Sequence, residues 1–255
     1  MDDMSADPAV RNTCAHSVVL DGVSGGGAGN RPIGGVGSSG AQRFNWLVTV
    51  PAGPYHPPVI ENMTGDQATG TDREPCWRGR NVGLASVDVD DAELMHSWRS
   101  DPVAAHEVGF WPRSLSALRE RVERDRDDQD RDDFLVLLSD GTPIGHIALV
   151  DQDIADGTAE VHLLLDSRYR GQGYGTDALD ALVDLAFGEL PMHRIQAVTH
   201  TANTAALTVL AKAGFVQEGV RRSACLHRGR RYDVAVLSLL RDEWEALARP
   251  KSWDI

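Results

Sequence analysis

Lysine is nearly missing from this chain: among 255 residues only Lys212 and Lys251 occur, and neither follows a glycine. A Walker loop needs Gly-Lys-Ser/Thr, so that kind of nucleotide site is excluded. Cysteine is scarce too. Cys14, Cys76 and Cys225 have neither disulfide-pair nor zinc-ligand spacing, and no metal is expected. No apolar run approaches the roughly 20 residues of a membrane span. The first 30 residues lack a basic start followed by a continuous apolar segment, so no secretory signal is expected. A cytoplasmic protein without membrane association is the expectation. Basic residues are outnumbered 25 to 38, for a net charge of −13. Nucleic-acid binding needs basic surface to displace counterions, so it is not expected. The arginine-rich stretch "RRSACLHRGRR", with Arg221, Arg222, Arg228, Arg230 and Arg231, reads better as pairing with carboxylates or lining an entrance. An acidic body suits a cationic partner such as an amine.

What is present divides the chain in two. Residues 1–79 hold 13 of the 25 glycines and 7 of the 12 prolines, and contain no periodic apolar run of helix length. Too little apolar surface is available there to offset chain ordering, so disorder is expected. Met63 lies inside this region and offers an alternative translation start to Met1. From Asn81 the pattern becomes regular. Strands are expected at 82–87, 134–139, 144–150, 158–166 and 193–200, with two more in 215–226 and 231–240. Helices are expected at 90–101, stopping at Pro102, and from a Ser114 cap through about 128. A third follows the glycine loop to about Gly188, a fourth runs from an Asn203 cap to Gly214, and a short one covers "DEWEAL". Helices flanking a mostly antiparallel mixed sheet give an α+β class.

The segment "RYRGQGYGTDAL" (168–179) carries the chemistry. It is not a dinucleotide fingerprint, because counting from Gly171 and Gly173 the third glycine place holds Thr176. Glycines at 171, 173 and 175 ahead of a helix offer bare amides at the positive end of a helix dipole, which suits a diphosphate. Arg170 adds a charged donor.

Arg170-x-x-Gly173-x-Gly175 after a strand, with a second helix from Asn203 running into "KAGF" (212–215), resembles the acetyl-coenzyme A binding core of the GNAT N-acetyltransferases. "WRSDP" (98–102), "AEV" (159–161), "GFVQEG" (214–219) and "YDVAVLSLLRDEW" (232–244) narrow the likeness to the ribosomal-protein-alanine acetyltransferase branch, of RimJ/RimL type. The resemblance implies a GNAT fold over residues 80–247, with 248–255 as a C-terminal tail. It implies acetyl-coenzyme A as cosubstrate and no metal. Its diphosphate would lie on Arg170, Gly171, Gln172, Gly173, Tyr174 and Gly175. The backbone of Leu163, Leu164 and Leu165 would pair with the pantetheine arm, and the amide of Asn203 would reach it in addition to capping its helix.

Glu160 matches the strand glutamate that serves as general base in several members of the family. Burial in an apolar strand makes a carboxylate a better proton acceptor. An exposed glutamate on a polar strand face is the competing reading. His162, two residues on and on the same face, either relays a proton or packs. Many members carry a tyrosine, the acid for the leaving thiolate, at the place occupied here by Leu210, so the acid is unassigned. A covalent route through Cys225 has no support, since nothing lowers its thiol pKa.

The activity implied is direct transfer of acetyl to a primary amine. At pH 7 an α-amino group (pKa about 7.8) loses its proton for about 1 kcal/mol, a lysine amine (about 10.4) for roughly 4.6 kcal/mol. That favours a protein N-terminus or a small-molecule amine as acceptor, as the branch also implies. The alternative is a non-catalytic acyl-coenzyme A sensor or scaffold with the same fold. Monomer and homodimer remain open.

Overall fold

The computed structural model describes residues 73–100, 113–227 and 229–254. The expected helix stop at Pro102, the expected disorder of 1–72 and the Met63 start lie outside them. Eight strands form one sheet in the order β1-β2-β3-β4-β5-β6-β8-β7. They are β1 (Trp77–Arg78), β2 (Val82–Ser86), β3 (Asp132–Leu138), β4 (Pro143–Asp153), β5 (Thr158–Leu165), β6 (Arg194–His200), β7 (Val216–His227) and β8 (Arg230–Leu240). Every neighbouring pair is antiparallel except β5 with β6. The α+β mixed sheet expected from the sequence is therefore present.

Among the described residues five helices flank the sheet: α1 (Ala92–Ser100), α2 (Leu115–Asp125), α3 (Tyr174–Gly188), α4 (Thr204–Lys212) and α5 (Arg241–Glu245). The sequence periods sort them onto faces. In β5, Ala159, Val161, Leu163 and Leu165 point into a core shared with Leu179, Leu182, Val183 and Phe187 of α3 and Leu210 of α4. Leu164, between them, joins the opposite core with Met95 and Trp98 of α1 and Leu118 of α2. Strand period two and helix period 3.6 thus build two layers on one sheet. Ser114 and Asn203 are the N-caps expected, accepting from the amides of Ala117 and Ala206.

Contacts of the sheet and of α3 reach past both expected domain boundaries. Trp77–Arg78, counted with the glycine-rich region, pairs with Leu84 and Gly83 as the sheet's edge strand. At the other end, residues 249–252 are tied to α3. The fully buried Asp184 accepts from Arg249 (2.7 and 2.8 Å), from the Ser252 amide (2.7 Å) and hydroxyl (2.8 Å), and from the Trp244 indole (2.7 Å). Segments this short and polar show no periodicity, so their docking is invisible to a pattern search.

Candidate active site

The site is a fork in the sheet. β5 and β6 pair in parallel only over Thr158–Glu160 and Arg194–Gln196. Beyond this, β5 stays paired with β4 up to Leu165↔Gly145, while β6 stays paired with β8 up to His200↔Val234. Each strand follows its own partner, and sheet twist carries the two apart. The inner edges of Val161–Leu165 and Ala197–His200 are therefore not paired with each other.

At the mouth of the fork stands the glycine loop. A 3-10 turn at Ser167–Tyr169, capped by Asp166, leads to Gly173 as N-cap of α3. No side chain caps that helix, so its first-turn amides meet no carboxylate or hydroxyl of the loop. Gly171 and Gly173 have φ of +73° and +92°, and a Cβ on either would meet nothing within 4 Å. At those two positions the loop forms a cradle open to solvent beside the first turn of α3. Asp177, in the first turn, is turned away from it and accepts from the amides of Arg80, Asn81 and Val82 at 2.7–3.1 Å.

The residues of the loop and of its surroundings also make contacts within the chain. A Cβ on Gly175 would come within 3.3 Å of Leu165 Cδ1 and 3.7 Å of Leu163 Cδ2, so this glycine lets α3 lie close against β5. Arg170 Nε donates to the Leu165 carbonyl at 2.9 Å, fastening the loop to the strand and occupying one of the groups expected to meet pantetheine. Gln172 bonds the Arg168 carbonyl within the loop, and Tyr174 packs on the core. Asn203 is 6% exposed, with its oxygen held by the Ala206 amide at 3.0 Å.

Glu160 sits at the apex of the fork, in the last in-register pair before the strands part. Its side chain lies on the sheet face away from α3 and α4 and is 4% exposed, which rules out the exposed-surface alternative. Oε1 is 3.0 Å from His162 Nε2, and Oε2 accepts from Gln196 Nε2 at 3.1 Å. His162 is thus a hydrogen-bond partner of the carboxylate rather than mere packing. Leu210 is sealed in the core at 0% exposure and offers no proton. Cys225 is buried, and burial pushes its thiol up, away from the nucleophilic form.

Sequence reasoning placed His162 beside Glu160 but missed its other partner, Gln196. Gln196 stands at a polar position of "RIQAVTH", alternating with Ile195 and Ala197, but nothing in the sequence pairs it with Glu160. Among the described residues no group of three or more histidine, cysteine or acidic side chains could hold a metal ion, and no helix is long and apolar enough to cross a membrane.

A fork between two parallel-paired strands, with an uncapped glycine-led helix at its mouth, fits the acetyltransferase fold that the sequence resembles. The model of the Acetyltransferase (GNAT) domain family matches residues 81–216. The chain belongs to the GNAT acetyltransferase family, and it is an N-acetyltransferase with acetyl-coenzyme A as cosubstrate. Among named relatives, the Bacillus subtilis Probable N-acetyltransferase YjcK is 32% identical, over 65% of this chain and 89% of its own. The spermidine N(1)-acetyltransferase of Vibrio cholerae is 21% identical over 63% and 94%. In fold, the crystal structure of the Vibrio cholerae spermidine N-acetyltransferase in complex with CoA and spermine superposes with a TM-score of 0.62 at 20% identity, covering 65% of this chain and 98% of that one.

Proposed function

We propose that the protein transfers acetyl from acetyl-coenzyme A to a primary amine, either a protein N-terminal α-amino group or a small-molecule amine, by direct attack. The observation that carries this is Glu160: a buried carboxylate at the apex of the fork, on the face opposite the helices that flank the cradle. Coenzyme diphosphate on the amides of 171–175 would send the pantetheine along the inner edge of Leu163–Leu165, toward that apex. Arg170 and Asn203 frame the path from the loop and from α4.

In this reading the acceptor enters on the Glu160 face. Its nitrogen lone pair attacks the acetyl carbonyl carbon as Glu160 takes the amine proton, directly or through His162. The developing oxyanion is held by a backbone amide of the 163–165 edge. The carbon–sulfur bond then breaks, and coenzyme A leaves as thiolate. With Leu210 unable to donate, the thiolate draws its proton from solvent. The easier deprotonation of an α-amino group favours that acceptor. The relative named for spermidine keeps polyamines in the panel.

Coenzyme A release with spermidine, an aminoglycoside and an alanine-starting peptide tests the acceptor class. Glu160→Gln should lower kcat by roughly 100-fold or more, the range of general-base contributions, while leaving the calorimetric affinity for coenzyme A unchanged. Parent-like turnover of that variant would refute the assignment of the base.

A further inference from the structure

We propose that Gln196 is a positioning residue for Glu160, its amide held in one orientation by a clamp of Arg194, Glu218 and Ser238 that reaches across β6, β8 and β7. This rests on the reading that Glu160 takes the acceptor's proton.

All these side chains share one face of the sheet. Gln196 is in register with Glu160 on one side and Ser238 on the other. Gln196 Nε2 donates to Glu160 Oε2 at 3.1 Å, and its Oε1 accepts from Arg194 Nη2 at 3.5 Å. A glutamine amide is nearly symmetric in shape, and nothing in its own sterics says which end faces the carboxylate. Arg194 decides it. With the amide reversed, its oxygen would oppose the Glu160 carboxylate and its NH2 would oppose the guanidinium, two repulsions in place of two bonds.

Arg194 is itself fixed. Its Nη1 and Nη2 donate to Glu218 Oε1 and Oε2 at 2.5 and 2.6 Å, a two-pronged contact that sets the guanidinium plane. Ser238 Oγ holds Glu218 Oε1 from below at 2.8 Å. Glu218 reaches this place because β7 bulges between Gln217 and Gly219, leaving it unpaired with β8. The Arg194 guanidinium pulls its carboxyl down to about 2, so it stays an anion and neutralises Arg194. What reaches Glu160 is therefore orientation and not added charge. With Oε2 engaged by Gln196, the carboxylate is held with Oε1 toward His162.

The test uses the full chain and four variants: Gln196→Leu, Glu218→Gln, Glu160→Gln, and Glu160→Gln with Gln196→Leu. Coenzyme A release is followed with spermidine and with an alanine-starting peptide, and the imidazole 15N signals of His162 are recorded without acceptor. Gln196→Leu should lower kcat about tenfold with KM for acetyl-coenzyme A unchanged. Glu218→Gln, at an exposed site, should lower it about threefold without loss of folding. In the Glu160→Gln background, Gln196→Leu should add nothing, because it acts through the missing carboxylate. The His162 Nε2 signal should move in both Gln196→Leu and Glu218→Gln. Parent-like kcat in Gln196→Leu beside an impaired Glu160→Gln would overturn the proposal, as would losses that multiply in the double variant. An unmoved His162 signal overturns it even if neither amine is turned over. A fully active Glu160→Gln would remove the base assignment and this proposal together.

Discussion

Two glycines two residues apart should fail in different ways when changed to valine. Gly173 has φ +92° and open space around its Cβ position, so Gly173→Val meets no neighbour. Its cost is backbone strain, about 1–2 kcal/mol for an L-residue held left-handed. For a domain of this size that lowers Tm by roughly 2–8 °C, and the protein stays folded at room temperature. The isopropyl group would, however, stand where a diphosphate approaches the first-turn amides. Loss of one charge-assisted hydrogen bond, about 1.5–3 kcal/mol, weakens coenzyme A binding by roughly 10- to 150-fold. Gly175 is the reverse case. Its Cβ alone would lie 3.3 Å from Leu165 Cδ1 and 3.8 Å from Val209 Cγ2, so valine forces α3 off β5. Overpacking of this kind costs about 1–3 kcal/mol. Its effect should appear in melting and in the alignment of the fork together. Calorimetric titration of coenzyme A and scanning calorimetry of both variants separate the cases. Folded Gly173→Val with parent affinity would refute the cradle.

The other expectations concern the frame around the site. Asp184→Asn removes the charge that the Arg249, Ser252 and Trp244 donors converge on at 0% exposure. Breaking a buried pair costs about 3–5 kcal/mol, so Tm should fall by roughly 6–20 °C, and a fall below about 2 °C in a calorimetric scan would refute the docked tail. His146 supplies a pH dependence. Burial, outweighing the Asp133 carboxylate 2.6 Å away, lowers it to about 4, with Arg99 and Arg131 acting in the same direction. Between the ordinary value near 6.5 and about 4 the unfolded chain binds more protons, so stability should fall as pH drops through that window. His146→Gln should flatten the slope, measured as the urea midpoint at pH 7 and pH 5; an unchanged slope would refute it.

Much of this molecule was legible in residue order. Alternation in "TAEVHLLL" and the i, i+3, i+4 spacing of Leu179, Leu182, Val183 and Phe187 determined which faces of β5 and α3 are buried, because those periods are set by backbone geometry alone. The caps at Ser114 and Asn203 were equally local. So was the place of Glu160 in an apolar strand, two residues before His162, and the glycine spacing that left the start of α3 bare.

Tertiary structure decided what depends on distance across the chain. Gly171, Gly173 and Gly175 look alike in sequence, yet two are left-handed and open while the third is a packing contact, a difference made by the side chains of Leu163, Leu165 and Val209. The fork exists because β5 follows β4 and β6 follows β8, and strand partners are not written in either strand. The clamp on Gln196 joins residues 36 and 24 positions apart through a bulge that no local pattern marks. Arg249 finds Asp184 across 65 residues for the same reason: a buried carboxylate must collect donors from wherever the fold brings them, and burial is a property of the folded chain.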